Sequence, residues 1–164
     1  MKYKAVFIDV DGTLLTDDLK ISEGTKDIIK RLHAENILIV IVTGRSPSSS
    51  LYYYKELGLI NNPIVCLNGA LVIKNDTILH EKVIQKEDCL IILNEAWNFK
   101  INISLYHHYD RFTEQMDDWI KQEIAITNTT VKQRSFAELL ESNFNPNKIL
   151  CMGDPEEISQ FEDH

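Results

Sequence analysis

Three short apolar runs constrain this chain more than any other feature: "KAVFIDV" from Lys4, "ILIVIVTGR" from Ile37 and "NPIVCLNGA" from Asn62. None alternates polar with apolar residues. Continuous, β-branched runs of this length are strands buried on both faces, the pattern of a parallel sheet. Between them lie two helical patterns. "SEGTKDIIKRLHAEN" has Ser22 as a capping residue and a stripe of Ile28, Ile29 and Leu32. "SPSSSLYYYKELGL" opens on Ser and Pro and reaches a stop at Gly58. Strand, helix, strand, helix, strand predicts an α/β fold built on a Rossmann-like parallel sheet.

Ligands in such sheets bind beyond the carboxyl ends of the strands. Asp9, Asp11, Thr43 and Asn68 all fall at or just past those ends. Three separated segments therefore converge on one rim. Asp9 and Asp11 can divide a task, one attacking phosphorus and the other moving protons. Both can also share a hard cation such as Mg²⁺. Gly12 permits a sharp turn and a close approach to a ligand. Thr43 and Gly44 offer a hydroxyl and backbone N–H groups suited to phosphate oxygens. Together these residues suit phosphoryl transfer. Plainer readings stand beside each one. Asp-Gly after a strand is a common turn, Thr43 can cap a strand end, Arg45 can pair with a helix acid, and Asn68-Gly69 can be a turn alone.

After Asn68 the pattern changes. "ALVIKNDTILHEKV" reads as a hairpin about Asn75 and Asp76, "INISLYHH" and "NKILCMGD" as strands, and four further segments as helices. This half reads as a second, α+β domain over residues 69–164, following a first domain over 1–68.

The motifs "DVDGTLL", "IVTGR" and "LNGA" resemble the haloacid dehalogenase superfamily, in particular its Cof-type phosphatases with an α/β cap. "KILCMGDPEEI" is similar to the cap segment of those proteins. The resemblance implies a Mg²⁺-dependent phosphatase of small phosphate monoesters, often sugar phosphates. It makes Asp9 the nucleophile that becomes an aspartyl-phosphate and Asp11 the general acid/base. The Asp9 carboxylate and the Asp11 backbone carbonyl contact the metal. Thr43 holds the phosphoryl group, Gly12, Gly44 and Arg45 shape the adjoining loops, and Asn68 lies at the cap junction.

The superfamily also uses a lysine and a further acidic motif after the cap, and neither is recognisable here. Lys148 and Gly153–Asp154 sit in the cap-like segment. The resemblance therefore implies a chain truncated within the cap, with impaired turnover. "KAVFIDV" would then be a sheet edge able to pair with a second copy, as a homodimer or domain swap. The alternative is a non-catalytic remnant that binds or oligomerises.

Acids outnumber bases 25 to 17, and no long basic cluster occurs, which argues against a nucleic-acid backbone as partner. No stretch approaches the ~20 apolar residues of a membrane span. Cys66, Cys89 and Cys151 lack metal-ligand spacing and read as reduced thiols of a cytoplasmic protein. No other histidine or cysteine falls at ligand spacing from His107 and His108, which read as surface or cap-cleft residues.

Overall fold

The structure, a computed structural model, describes residues 3–163. The chain divides into two compact units, the first ending at Glu81 and the second beginning at Lys82.

The first unit is a five-stranded sheet in the order β1-β2-β3-β4-β5. Strands β1 (Ala5–Asp9), β2 (Leu38–Val42) and β3 (Ile64–Cys66) are parallel. Asp9 lies opposite Val42, and Val42 opposite Val65, so the three carboxyl ends line up. Helix α1 (Glu23–Ala34) starts where Ser22 Oγ accepts the Thr25 N–H at 3.1 Å. Helix α2 (Pro47–Glu56) has Pro in its first turn and ends at Gly58, whose φ of +71° few other residues tolerate. Tyr53 and Tyr54 of α2 are buried and Tyr52 is exposed. The core is built from Ile39, Ile41, Leu59, Ile64, Leu71 and Tyr54. Tyr54 crosses to the sheet, donating to the Pro63 carbonyl and accepting the Ile41 N–H at 3.3 Å.

Two expectations are corrected here. The hairpin β4 (Leu71–Lys74) and β5 (Thr77–Glu81) belongs to this first sheet, not to the second domain, so the division falls after Glu81 rather than at 69. The cause is local. Leu67, Asn68 and Gly69 have φ of +53°, +57° and +92°, and the reversal they make lays β4 antiparallel on β3, burying Leu71 and Ile73. The hairpin turn itself is as expected, with positive φ at Asn75 and Asp76. The second correction concerns β1. It is the edge strand anticipated from the sequence, paired only with β2 among the described residues, but Phe7 is 66% exposed. It is not buried on both faces.

The second unit is a four-stranded sheet in the order β8-β7-β6-β9. Its strands are β6 (Asn102–His107), β7 (Asp110–Thr113), β8 (Lys132–Gln133) and β9 (Lys148–Met152). Its helices are α3 (Lys86–Asn98), α4 (Asp118–Thr127), α5 (Phe136–Glu141) and α6 (Pro155–Glu162). Asp117, Ser135 and Asp154 cap the last three. Ile103 and Leu105 of β6 turn to one face and pack with Cys89, Ala96, Phe136 and Leu140. On that side a cavity of about 420 Å³ opens between α3 and α5. Strands β7 and β8 escape the sequence pattern because they are short and largely polar.

Candidate active site

All the residues singled out at the strand ends lie in the first unit, in three loops that hydrogen bonds tie together. The first loop follows β1. Asp9 is extended and exposed, and its carboxylate does not cap the turn that follows. Val10 is fully buried and anchors that turn, which closes with the Leu15 N–H donating to the Val10 carbonyl at 3.0 Å. Gly12 takes φ +73°, so the chain can fold back between Asp11 and the buried Leu14.

The second loop follows β2. Thr43 is buried, and its N–H donates to the Val65 carbonyl at 2.9 Å, continuing the parallel ladder one residue past the strand. The Thr43 Oγ1 accepts the Arg45 N–H at 3.1 Å. The third loop locks onto the second. Asn68 N–H donates to the Thr43 carbonyl at 3.2 Å, and Leu67 N–H to the Arg45 carbonyl at 3.0 Å. Gly44 lies so close to this loop that a Cβ there would stand 2.6 Å from Asn68 Oδ1.

Arg45 joins the second loop to the first. Its Nε donates to Asp11 Oδ2 at 2.9 Å and its Nη2 to Asp11 Oδ1 at 2.6 Å. The guanidinium lies 5.7 Å from the centre of the Tyr53 ring, and its side chain is largely buried while that of Asp11 is half exposed. These hydrogen bonds, opposed by some desolvation, hold the Asp11 carboxyl below the usual carboxylate range and raise Arg45 above its own. Asp11 is thus kept ionised. Arg45 pairs with a loop aspartate rather than a helix acid, and only its place next to Thr-Gly at a strand end hinted at this in the sequence. The ring of Tyr53 beneath it had no sequence signal.

Mg²⁺ takes oxygen ligands, is commonly held by one or two carboxylates and keeps several waters. The exposed Asp9 carboxylate meets that requirement. Both Asp11 carboxylate oxygens accept hydrogen bonds from Arg45.

A family model of haloacid dehalogenase-like hydrolases matches residues 6–164, nearly the whole chain. The chain belongs to the haloacid dehalogenase-like hydrolase family. A provisionally named phosphatase of Haemophilus influenzae is 34% identical over 165 residues, covering 99% of this chain and 61% of that protein. A haloacid dehalogenase-like hydrolase of Bacteroides thetaiotaomicron has the same fold, with a TM-score of 0.85 at 21% identity over 99% of this chain and 62% of that one. A sugar phosphatase of subclass IIB of this superfamily superposes with a TM-score of 0.82 at 20% identity, over 98% of this chain and 62% of that one. The chain thus spans about three fifths of the length of these haloacid dehalogenase-like relatives.

Proposed function

We propose that this chain carries the nucleophile-bearing part of a Mg²⁺-dependent phosphatase acting on small phosphate monoesters, sugar phosphates among them. The observation behind this reading is the rim itself. Three strand ends are hydrogen-bonded into one surface that exposes Asp9 and buries Thr43 beneath it. The sugar phosphatase of the same fold supports the substrate class.

Asp9 attacks phosphorus, and the bond from phosphorus to the ester oxygen breaks. Asp11 protonates the departing oxygen. Water then attacks the aspartyl-phosphate, Asp11 takes its proton, and phosphate leaves with Asp9 restored. Thr43, with the backbone N–H groups of the Gly44 loop, holds the phosphoryl oxygens, and Arg45 sets the position of Asp11. The Asp9 carboxylate and Asp11 backbone carbonyl would hold Mg²⁺, which neutralises charge on the phosphoryl oxygens. The Arg45 pair favours the proton-accepting form of Asp11, so proton donation to the leaving group requires Asp11 to move off Arg45.

Turnover by these 164 residues alone is expected to be weak, because a metal held by Asp9 and one carbonyl is poorly compensated. The test is phosphate release from a panel of sugar monophosphates with and without Mg²⁺. Slow, Mg²⁺-dependent release that disappears in Asp9→Asn is the expected result. Equal rates for the two proteins would refute the role of Asp9. Turnover near the ~10 s⁻¹ of ordinary enzymes would refute impairment.

The exposed β1 edge, with Phe7 on its surface, favours a second role as a pairing site for another copy of the chain. Cys66 and Cys89 are free, buried thiols, raised by burial to about 12 and about 11, which suits a reducing cytoplasm. No helix among the described residues is long and apolar enough to cross a membrane.

A further inference from the structure

The cavity between α3 and α5 has no place in the phosphatase reading. Its volume is about 420 Å³, and every residue that lines it belongs to the second unit. Folded interiors leave few voids larger than a water molecule, whereas pockets for small molecules run to roughly 300–1,000 Å³. Small residues help to leave this space open: Ala96 of α3 and Ala137 of α5 both line it. Leu90, Leu93 and Trp97 stand three and four positions apart, so they run along one side of α3, and all three line the cavity. Such a stripe normally packs inward. Here Leu90 and Trp97 remain 39% and 72% exposed. Phe136 and Leu140 of α5 are buried and supply an apolar wall.

Charges of both signs join these apolar walls. Lys100, in the turn from α3 to β6, lines the cavity and forms no ion pair among the described residues. Glu114 and Asp117 follow β7, line the cavity and are half-buried. Each uses one carboxylate oxygen at the start of a helix. Glu114 Oε1 accepts the Phe136 N–H at 2.7 Å, and Asp117 Oδ1 accepts the Ile120 N–H at 2.8 Å. Neither is ion-paired among the described residues. Strands β6 and β7 are antiparallel, so the residue before β6 and those after β7 stand at one end of the sheet. An occupant with a single charge would meet its own sign there: a carboxylate would face Glu114 and Asp117, and an amine would face Lys100. A wholly apolar occupant would strip water from all three charges and return nothing. A molecule with an apolar body and both charges on one short head satisfies the whole lining.

We propose that the cavity between α3 and α5 binds a free amino acid with an apolar side chain. The side chain packs on Leu93, Phe136 and Leu140, the carboxylate faces Lys100, and the ammonium faces Glu114 and Asp117. The site is independent of the phosphoryl-transfer chemistry assigned to Asp9.

The test follows the Trp97 indole N–H resonance of the full chain by NMR, assigned by its loss in Trp97→Phe. L-phenylalanine, 3-phenylpropionate and 2-phenylethylamine are titrated separately at matched ionic strength, and glycine reports on the charged head alone. Phenylalanine is expected to shift the resonance with saturation and to bind at least about tenfold more tightly than either singly charged relative. Glycine should leave the resonance in place. Lys100 is exposed, and Lys100→Gln should weaken phenylalanine binding by about tenfold. Glu114→Gln keeps an acceptor for the Phe136 N–H and should also weaken it. The proposal is overturned if phenylalanine does not move the resonance, or if glycine moves it as far. It is equally overturned if a singly charged relative binds as tightly as phenylalanine, or if either variant binds phenylalanine as tightly as the natural sequence does.

Discussion

Arg45 grips Asp11 with two parallel N–H···O bonds, Nε to Oδ2 at 2.9 Å and Nη2 to Oδ1 at 2.6 Å, across 34 positions of sequence. This fork–fork pair sets the charge and the orientation of Asp11 together.

Arg45→Met should return the Asp11 carboxyl toward its ordinary value, read from its carboxyl carbon shift in an NMR pH titration. The pair lowers Asp11 in the folded state. Its stabilisation is therefore full above the unfolded value of about 3.9 and is lost as pH falls through the folded value. Urea unfolding should show natural chain and variant separated by about 1 kcal/mol at neutral pH, a size set by the exposure of Asp11, and converging in acid. A gap that persists in acid would mean that Arg45 acts through packing on Tyr53 instead.

Gly44→Ala should disturb the third loop through Asn68, whose Oδ1 would lie 2.6 Å from the new Cβ. Asn68 has φ +57°, so Asn68→Gly is tolerated by the backbone and clears the space. Gly44→Ala alone should cost on the order of 1 kcal/mol, and adding Asn68→Gly should recover most of it. Strict additivity in chemical denaturation would show that the two loops are not coupled through this contact.

Tyr54→Phe leaves the Ile41 N–H and the Pro63 carbonyl without the hydroxyl between them. A loss of roughly 1–3 kcal/mol is expected. Burial raises Tyr54 to about 12, so its contribution is intact below pH ~10 and is lost as pH rises through the folded value. Unfolding of the two proteins compared at pH 8 and in strong alkali reads this directly.

Phe7→Lys places a charge on the open edge strand, where Phe7 is 66% exposed. Light scattering should find the natural chain self-associating and the variant less so. A natural chain that stays monomeric at high concentration would remove the pairing role proposed for β1.

Much of the first unit was legible in the sequence because its signals are local. Apolar runs without alternation marked β1, β2 and β3, and Ser22, Pro47 and Gly58 marked helix ends. Each depends only on what a residue does to its own few neighbours. The placement of Asp9, Asp11, Thr43 and Asn68 followed, since a residue at the carboxyl end of a parallel strand joins a shared rim whatever the details of packing. The hairpin was legible as a hairpin but not as part of the first sheet. Its allegiance turns on three consecutive positive φ values, one of them at Leu67, a residue with no preference for that region.

By itself, then, the sequence determined the element order, the α/β class and which acids stand at a strand end. Tertiary structure alone decided that Arg45 holds Asp11 and that the β4–β5 hairpin joins the first sheet. It alone also set Arg111 and Lys148 on either side of Tyr106. The physical reason is register. Which side chains meet across strands and loops depends on how segments tens of residues apart align, and a one-residue slip would send every one of them to the opposite face.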